Sequence, residues 1–322
     1  MSDARVIPFN PDDRAAGARA EAAAAGAPET GLSDAVREAI GARGRVLDRK
    51  AAGALAFVRR RISGDYAVDE FGCDPDLADN VLLAPFRPLY DTWFRVETRG
   101  EENIPEGAGL VVGNHSGTIP LDTIMTMLAL RDHHPLQRRL RPLGADLVFG
   151  LPFVGEYARK AGVTLACTPD AERMLNSGEL VGVWPEGYKG IGKPFSERYK
   201  LQRFGRGGFV AAALKTGAPI IPTAIVGAEE TYPVLGNSKT LARVLGVPYV
   251  PLTPTFPWLG ALGLVPLPSK WFIEFGRPIP TDQYPEGAAD DPALVFDLAD
   301  QVREVIQQTL YRLLMQRRSV FT

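Results

Sequence analysis

Histidine and cysteine are scarce in this chain, with three and two residues among 322. Cys73 and Cys167 are too few and too far apart for a zinc site or a disulfide framework, so a reducing cytoplasmic setting is the default expectation. His133 and His134, in "LRDHHPLQRRLRPL", read as exposed loop residues with no further metal ligands nearby, and no metal or cofactor is expected. An excess of charge of one sign is also missing. The 36 Lys and Arg against 38 Asp and Glu leave a formal charge of -2. That argues against a nucleic-acid partner, which needs a concentrated cationic surface. The first residues lack the basic-then-apolar pattern of a secretory signal. No P-loop, dinucleotide fingerprint or internal repeat is present, and "GNHSG" is not the elbow of a serine hydrolase because Ser116 sits one position late.

What is present is an ordinary globular composition, 45% hydrophobic and 23% charged. Residues 1–33, rich in Ala, Glu, Asp and Pro, read as a mobile tail. From Asp34 to Ile62, Val36, Ile40, Leu47, Ala51, Leu55 and Val58 recur at three, four or seven residues, which makes one face of a helix. Eight basic residues against three acidic ones give it a charge of +5. Such a helix can lie on an anionic membrane or pack on the domain with its basic face solvated. Residues 34–94 are thus expected to form a helical extension, open to membrane association.

From Arg95 to the end the texture is that of one α/β domain. Strands are expected at "RVETRG", "GAGLVVGNH", "LRPLGADLVF", "VTLAC", "LVGVWPEG" and "PIIPTAIVG". Helices are expected at "PLDTIMTMLALRD", "VGEYARKAG", "PDAERMLNSGE", "RFGRGGFVAAALKTG" and the C-terminal "DPALVFDLADQVREVIQQTLYRLLMQRR". Short β-branched runs alternating with helices imply a mostly parallel sheet, buried on both faces and flanked by helices. Ligands of such sheets sit at the carboxyl ends of the strands. His115 and the "PEG" at 185–187 both fall just past a strand end.

General-base catalysis needs a side chain that titrates near neutrality, and histidine is the one that does so unaided. His115 is the candidate, unless it only caps a strand end. A carboxylate must hold its other ring nitrogen. Asp122 is the nearest in sequence, with Asp146 as a rival. Seven helical steps would separate His115 and Asp122 by about 10 Å along the axis, too far for a hydrogen bond. They can meet only if "SGTIP" is a loop, which Gly117 permits and Pro120, suited to a helix's first turn, would end. After "PEG", the run Lys189, Lys193, Arg198, Lys200, Arg203 and Arg206 against Glu197 carries +5. It can hold the phosphates of a ligand, or stay a solvated loop.

Between Arg243 and Lys270 no residue is charged, and the run is long enough to cross a bilayer. Its six prolines would break a spanning helix repeatedly, so a transmembrane helix is rejected. With Trp258 and Trp271, the segment reads as an interfacial docking loop or a wall for an apolar ligand, or else as a buried loop or dimer contact.

Read together, "NHSGTIPLD", "FGLPFVGEYARKAG", "GELVGVWPEG" and "GAPIIPTAIVG" resemble, in order, the four sequence blocks of the glycerolipid acyltransferase superfamily. The segment "RFGRGGFVAAALKTGAPIIPTAIVGAEETYP" looks most like the branch that contains mono- and diacylglycerol acyltransferases. The resemblance spans roughly residues 95–280. It implies the acyltransferase-type fold, acyl-CoA as donor, a lipid acceptor, and work at the cytoplasmic face of a membrane as a peripheral or monotopic protein. It further implies His115 as base and Asp122 as its orienter. Arg159 is the positional match for an acceptor-phosphate ligand, and Glu186 and Gly187 match the block that binds the acceptor or shapes its pocket. The superfamily's first block has four residues between His and Asp, whereas six intervene here. The expected function is O-acylation of a lysophospholipid or lysophosphatidate. The alternatives are a mono- or diacylglycerol acyltransferase, a hydrolase using Ser116, and a non-catalytic lipid-binding protein in which the longer spacing has disabled the base.

Overall fold

The computed structural model describes residues 51–205, 207–246 and 250–321. The tail expected at 1–33, the first part of the amphipathic helix and Arg206 lie outside the described residues. The chain divides into two compact units, Met1–Asp65 and Tyr66–Thr322. In the first, a helix over 51–63 ends where Gly64 takes a left-handed φ of 75° and Asp65 N donates to Arg60 O at 2.9 Å.

The second unit takes in the expected boundary at Arg95. It opens with short helical turns at Pro75–Leu77, Ala78–Leu82, Ala84–Phe86 and Leu89–Trp93. Then follow β1 (Glu97–Arg99), β2 (Gly109–Gly113), α1 (Leu121–Leu128), β3 (Leu140–Gly144), α2 (Asp146–Gly150), α3 (Val154–Lys160), β4 (Thr164–Leu165) and α4 (Thr168–Asn176). The chain continues through β5 (Leu180–Val183), α5 (Tyr188–Ile191), α6 (Gly208–Thr216), β6 (Ile220–Val226), α7 (Ala228–Thr231), β7 (Gly236–Asn237), α8 (Lys239–Leu245) and β8 (Pro251–Leu252). It closes with β9 (Phe272–Phe275) and α9 (Pro292–Gln316).

Seven strands form one sheet in the order β1-β9-β6-β2-β5-β3-β4. All neighbours run parallel except β6 and β9, so β9 and β1 oppose the other five. β2 lies between β5 and β6, and every residue of β2 and β6 is buried. That is why both read as continuous apolar runs rather than alternating ones. Successive side chains nevertheless divide between two cores. Leu110 and Val112 join a layer built by α4, α6 and α9, while Val111 packs with Leu121, Met125 and Leu128 of α1. α9 starts at Asp291, whose side chain accepts from Ala293 N at 2.9 Å and Leu294 N at 3.4 Å. It buries Val295, Leu298, Ala299, Val302, Ile306, Leu310 and Leu313, a single stripe at helical spacing.

Four expectations need correction. "LRPLGADLVF" is a strand only to Gly144; β3 has no partner beyond that residue, and Asp146–Gly150 is helical. "FIEF", read as part of no element, is β9, a four-residue strand inserted between β1 and β6. His134 is buried, with Nε2 3.1 Å from Glu101 O and Nδ1 accepting from Leu136 N at 3.1 Å. Its neighbour His133 stays exposed and stacks on Tyr90. Trp271 is not interfacial: it is fully buried, stacked on Phe94 at 4.7 Å, with its indole N–H donating to Ser269 Oγ at 3.0 Å. Trp258 does stand in solvent, beside exposed Leu259, Leu262 and Leu264. Among the described residues, no helix is long and apolar enough to cross a membrane.

Candidate active site

The site grows from the carboxyl end of β2. Asn114 follows the strand, and its side chain copies a ladder residue: Nδ2 donates to Ile225 O at 3.0 Å and Oδ1 accepts from Ile225 N at 2.7 Å. This clasp ties the β2 exit to β6, so the backbone leaves the sheet at a set point with His115 next. Residues 115–120 are a loop, with Gly117 at a φ of 82°. The loop folds back so that Asp122, in the first turn of α1, meets His115.

His115 Nδ1 lies 2.7 Å from Asp122 Oδ2. That oxygen also accepts from Ser116 N at 2.9 Å, and Oδ1 accepts from Thr123 N at 2.7 Å. The Asp122 side chain is wholly buried, whereas His115 keeps 14% of its side chain exposed. A carboxylate that only accepts leaves the proton on Nδ1, so the lone pair falls on Nε2. Asp146 makes no such bond; it stands in the first turn of α2. Ser116 Oγ is buried and has no hydrogen-bond partner among the described residues, so the imidazole does not activate it.

The "PEG" segment buttresses this loop. Glu186 is buried past the end of β5, and Oε1 accepts from His115 N at 2.9 Å while Oε2 accepts from Gln202 N at 2.6 Å. Gly187 turns the chain with a φ of 57°, which delivers α5 against the histidine. A Cβ on Gly190 would stand 2.6 Å from His115 O and 3.0 Å from His115 Cβ, so only glycine fits there.

The sequence-predicted cations divide. Lys193 is buried, with Nζ 3.2 Å from Glu229 Oε1 and 3.6 Å from Glu186 Oε2. Lys189 is exposed beside this cluster and lines, with Arg203, Gly205 and Phe296, an open cavity of about 340 Å³. Arg159 lies on the exposed face of α3, its guanidinium over the Phe149 ring, and makes no contact with His115 or Glu186. Its neighbour Lys160, not Arg159, pairs with Glu156 at 2.7 Å. The structure therefore joins His115, Asp122, Glu186, Gly187 and Lys193, leaves Lys189 exposed on α5 next to Gly190 and keeps Arg159 apart.

Three participants escaped the sequence reading: Asn114, Gly190 and Glu229. The signal for Glu229 was the acidic pair in "GAEE", directly after a strand with no polar surface. Burial pushes the Glu229 carboxyl up to about 7, against the pull of Lys193. Among the described residues, no cluster of histidine, cysteine and carboxylate side chains could hold a metal ion.

The Acyltransferase family model matches residues 95–226. An uncharacterized protein of Mycobacterium tuberculosis is 58% identical over 271 residues, which are 84% of this chain and 76% of that one. A Gallus gallus protein, named a DGAT1/2-independent enzyme synthesizing storage lipids, is 29% identical over 191 residues, 59% of this chain and 54% of its own. Among solved structures, the 1-acyl-sn-glycerophosphate acyltransferase PlsC of Thermotoga maritima aligns with a TM-score of 0.49 and 21% identity, covering 75% of this chain and 83% of that chain.

Proposed function

The chain belongs to the glycerolipid acyltransferase superfamily and is an acyltransferase; from that premise we propose that it moves a fatty acyl group from acyl-CoA to a glycerolipid hydroxyl, with His115 as general base. The observation that carries this reading is the 2.7 Å contact between His115 Nδ1 and the buried Asp122 carboxylate. With Nδ1–H held there, Nε2 takes the proton of the acceptor hydroxyl as its oxygen attacks the thioester carbonyl. Asp122 stabilises the imidazolium that forms. The tetrahedral oxyanion, met by nearby backbone N–H donors, collapses to the ester, and the departing thiolate recovers the proton from His115. No acyl-enzyme is required.

Glu186 acts in this mechanism by holding the His115 backbone, since both its oxygens are already engaged. Gly187 supplies the turn. Lys189 and Arg203, which line the open cavity, supply phosphate ligands for the coenzyme A moiety. The acceptor is of the lysophospholipid or lysophosphatidate type. One observation favours a second reading, an uncharged mono- or diacylglycerol: Lys193 is committed to two carboxylates and Arg159 is apart from His115, so fewer cations face the base. Exposed Trp258, Leu259 and Leu262 serve as the element that docks the enzyme, peripherally, on the cytoplasmic leaflet.

The test is acyl transfer from radiolabelled long-chain acyl-CoA to a panel of lysophospholipid, monoacylglycerol and diacylglycerol acceptors, with wild type beside His115→Ala. Transfer that disappears in the variant supports the base, and the acylated acceptor names the substrate. Transfer that survives His115→Ala sinks the mechanism. A folded wild type that binds lipid without turnover would instead mark a lipid-binding protein.

A further inference from the structure

We propose that Glu229 is a positioning residue for this reaction: through the Lys193 ammonium it sets the Glu186 carboxylate that holds the His115 backbone. The proposal rests on the reading of His115 as the base.

Three ionisable side chains form an unbroken buried chain under the His115 loop. Glu229 Oε1 lies 3.2 Å from Lys193 Nζ, Lys193 Nζ lies 3.6 Å from Glu186 Oε2, and Glu186 Oε1 accepts from His115 N at 2.9 Å. The side chains of Lys193 and Glu186 are 1% and 0% exposed, and that of Glu229 is 7% exposed. Water therefore does not stand in for a missing partner, and each charge depends on the next. The ammonium is the shared element. Held by one carboxylate on each side, it cannot approach Glu186 more closely without leaving Glu229. Glu186 Oε2 is in turn the oxygen that accepts from Gln202 N at 2.6 Å. A lysine released by Glu229 would compete for that oxygen and turn the carboxylate that His115 N relies on.

Glu229 also fixes the segment that carries the surface cations. Its Oε1 accepts from Tyr199 N at 3.0 Å, and Tyr199 holds a left-handed φ of 62°, a conformation that a bulky residue adopts only when surrounding contacts impose it. Those contacts are on the page. The Tyr199 hydroxyl donates to Glu230 and accepts from Gly227 N at 2.9 Å, and its carbonyl accepts from Gln307 Nε2 at 2.7 Å. Glu230 is itself paired with Arg317 at 2.9 Å, so the neighbouring acid is occupied and cannot replace Glu229 at Lys193. A cavity of about 10 Å³ is bordered by Gly117 of the His115 loop and by Gly190, Lys193 and Glu229. That is room for a single water at most, so a displaced Lys193 presses on the loop.

The experiment compares full-length wild type, Glu229→Gln, Lys193→Met and the double variant by steady-state acyl transfer and thermal unfolding. The His115 ring 15N resonances are recorded in parallel, identified by their loss in His115→Ala. Glu229→Gln keeps the shape and the acceptor for Tyr199 N but removes the charge. We expect kcat to fall roughly tenfold with KM for donor and acceptor changed less than about twofold, and the His115 resonances to move. Because both residues act through Glu186, the double variant is expected to be no slower than Lys193→Met alone. Independent, multiplying losses would overturn the proposal, as would a lower Tm with unchanged kcat and unmoved His115 resonances. If wild type transfers no acyl group, the functional reading fails separately, and the resonances still decide whether Glu229 positions His115.

Discussion

Replacing Asp122 by asparagine alters one atom of a buried carboxylate that accepts in every direction. Oδ2 takes His115 Nδ1 at 2.7 Å and Ser116 N at 2.9 Å, and Oδ1 takes Thr123 N at 2.7 Å. An amide offers acceptors on one side only. With its NH2 toward His115, the imidazole must become the Nε2–H tautomer and loses its lone pair where the hydroxyl arrives. With its NH2 toward Thr123, two N–H groups oppose each other at a wholly buried side chain, and the negative charge that stabilised the imidazolium is gone in either case. Misplacing the tautomer removes general-base catalysis, worth about 10²- to 10⁴-fold. At about 1.4 kcal/mol per tenfold, that is roughly 3–5 kcal/mol of transition-state stabilisation. One buried unsatisfied donor costs a further 1–3 kcal/mol of stability, on the order of what a domain of this size tolerates. The assay is kcat for acyl transfer at a temperature where circular dichroism shows Asp122→Asn folded, with KM measured for donor and acceptor. We expect kcat to collapse and KM to hold. A folded variant that loses less than about tenfold would refute the assignment of Asp122 as the residue that sets the tautomer.

Other outcomes follow from single contacts. Gly190→Ala places a methyl 2.6 Å from His115 O and 2.8 Å from Glu186 Cβ, so α5 must shift; we expect about 1–3 kcal/mol of destabilisation in denaturant titration and a matching drop in transfer. The two tryptophans should behave oppositely: Trp271→Ala, in the core against Phe94, costs about 3–5 kcal/mol, whereas Trp258→Ala, 72% exposed, leaves stability within about 0.5 kcal/mol. Co-sedimentation with anionic vesicles should weaken for Trp258→Ala, and unchanged binding would remove that loop from the docking surface. Glu229 should make stability depend on pH. Its carboxyl sits at about 7 when folded against an ordinary 4.5, so its contribution is fully present below about pH 4.5 and is lost as pH rises through 7. Wild type should lose on the order of 3 kcal/mol relative to Glu229→Gln across that interval, read as diverging unfolding midpoints; parallel curves would contradict the buried placement of the acid.

Much of this architecture is legible in one dimension because its causes are local. β2 and β6 announce themselves as unbroken apolar runs since both faces are covered, and α9 by a stripe that recurs at helical spacing. His115 and the "PEG" turn are recognisable because strand ends in a parallel sheet collect functional groups, and Gly117 with Pro120 already marks the loop that lets His115 reach Asp122. What the chain order cannot express is which strands become neighbours. β2 comes to lie between β5 and β6, and this alone brings Glu186 to a backbone N–H 71 residues away and closes Asn114 on Ile225, 111 residues on. The same assembly decides the fate of side chains whose type is ambiguous. Lys193 reads as one cation in a surface run, yet the fold seals it between two carboxylates, and Trp271 reads like Trp258 until β9 carries its neighbour segment into the core. Local pattern thus determined most of the elements and pointed to His115 as the candidate base. Tertiary packing decided which charges are buried, because burial is a property of the surroundings and no residue carries its surroundings in its own identity.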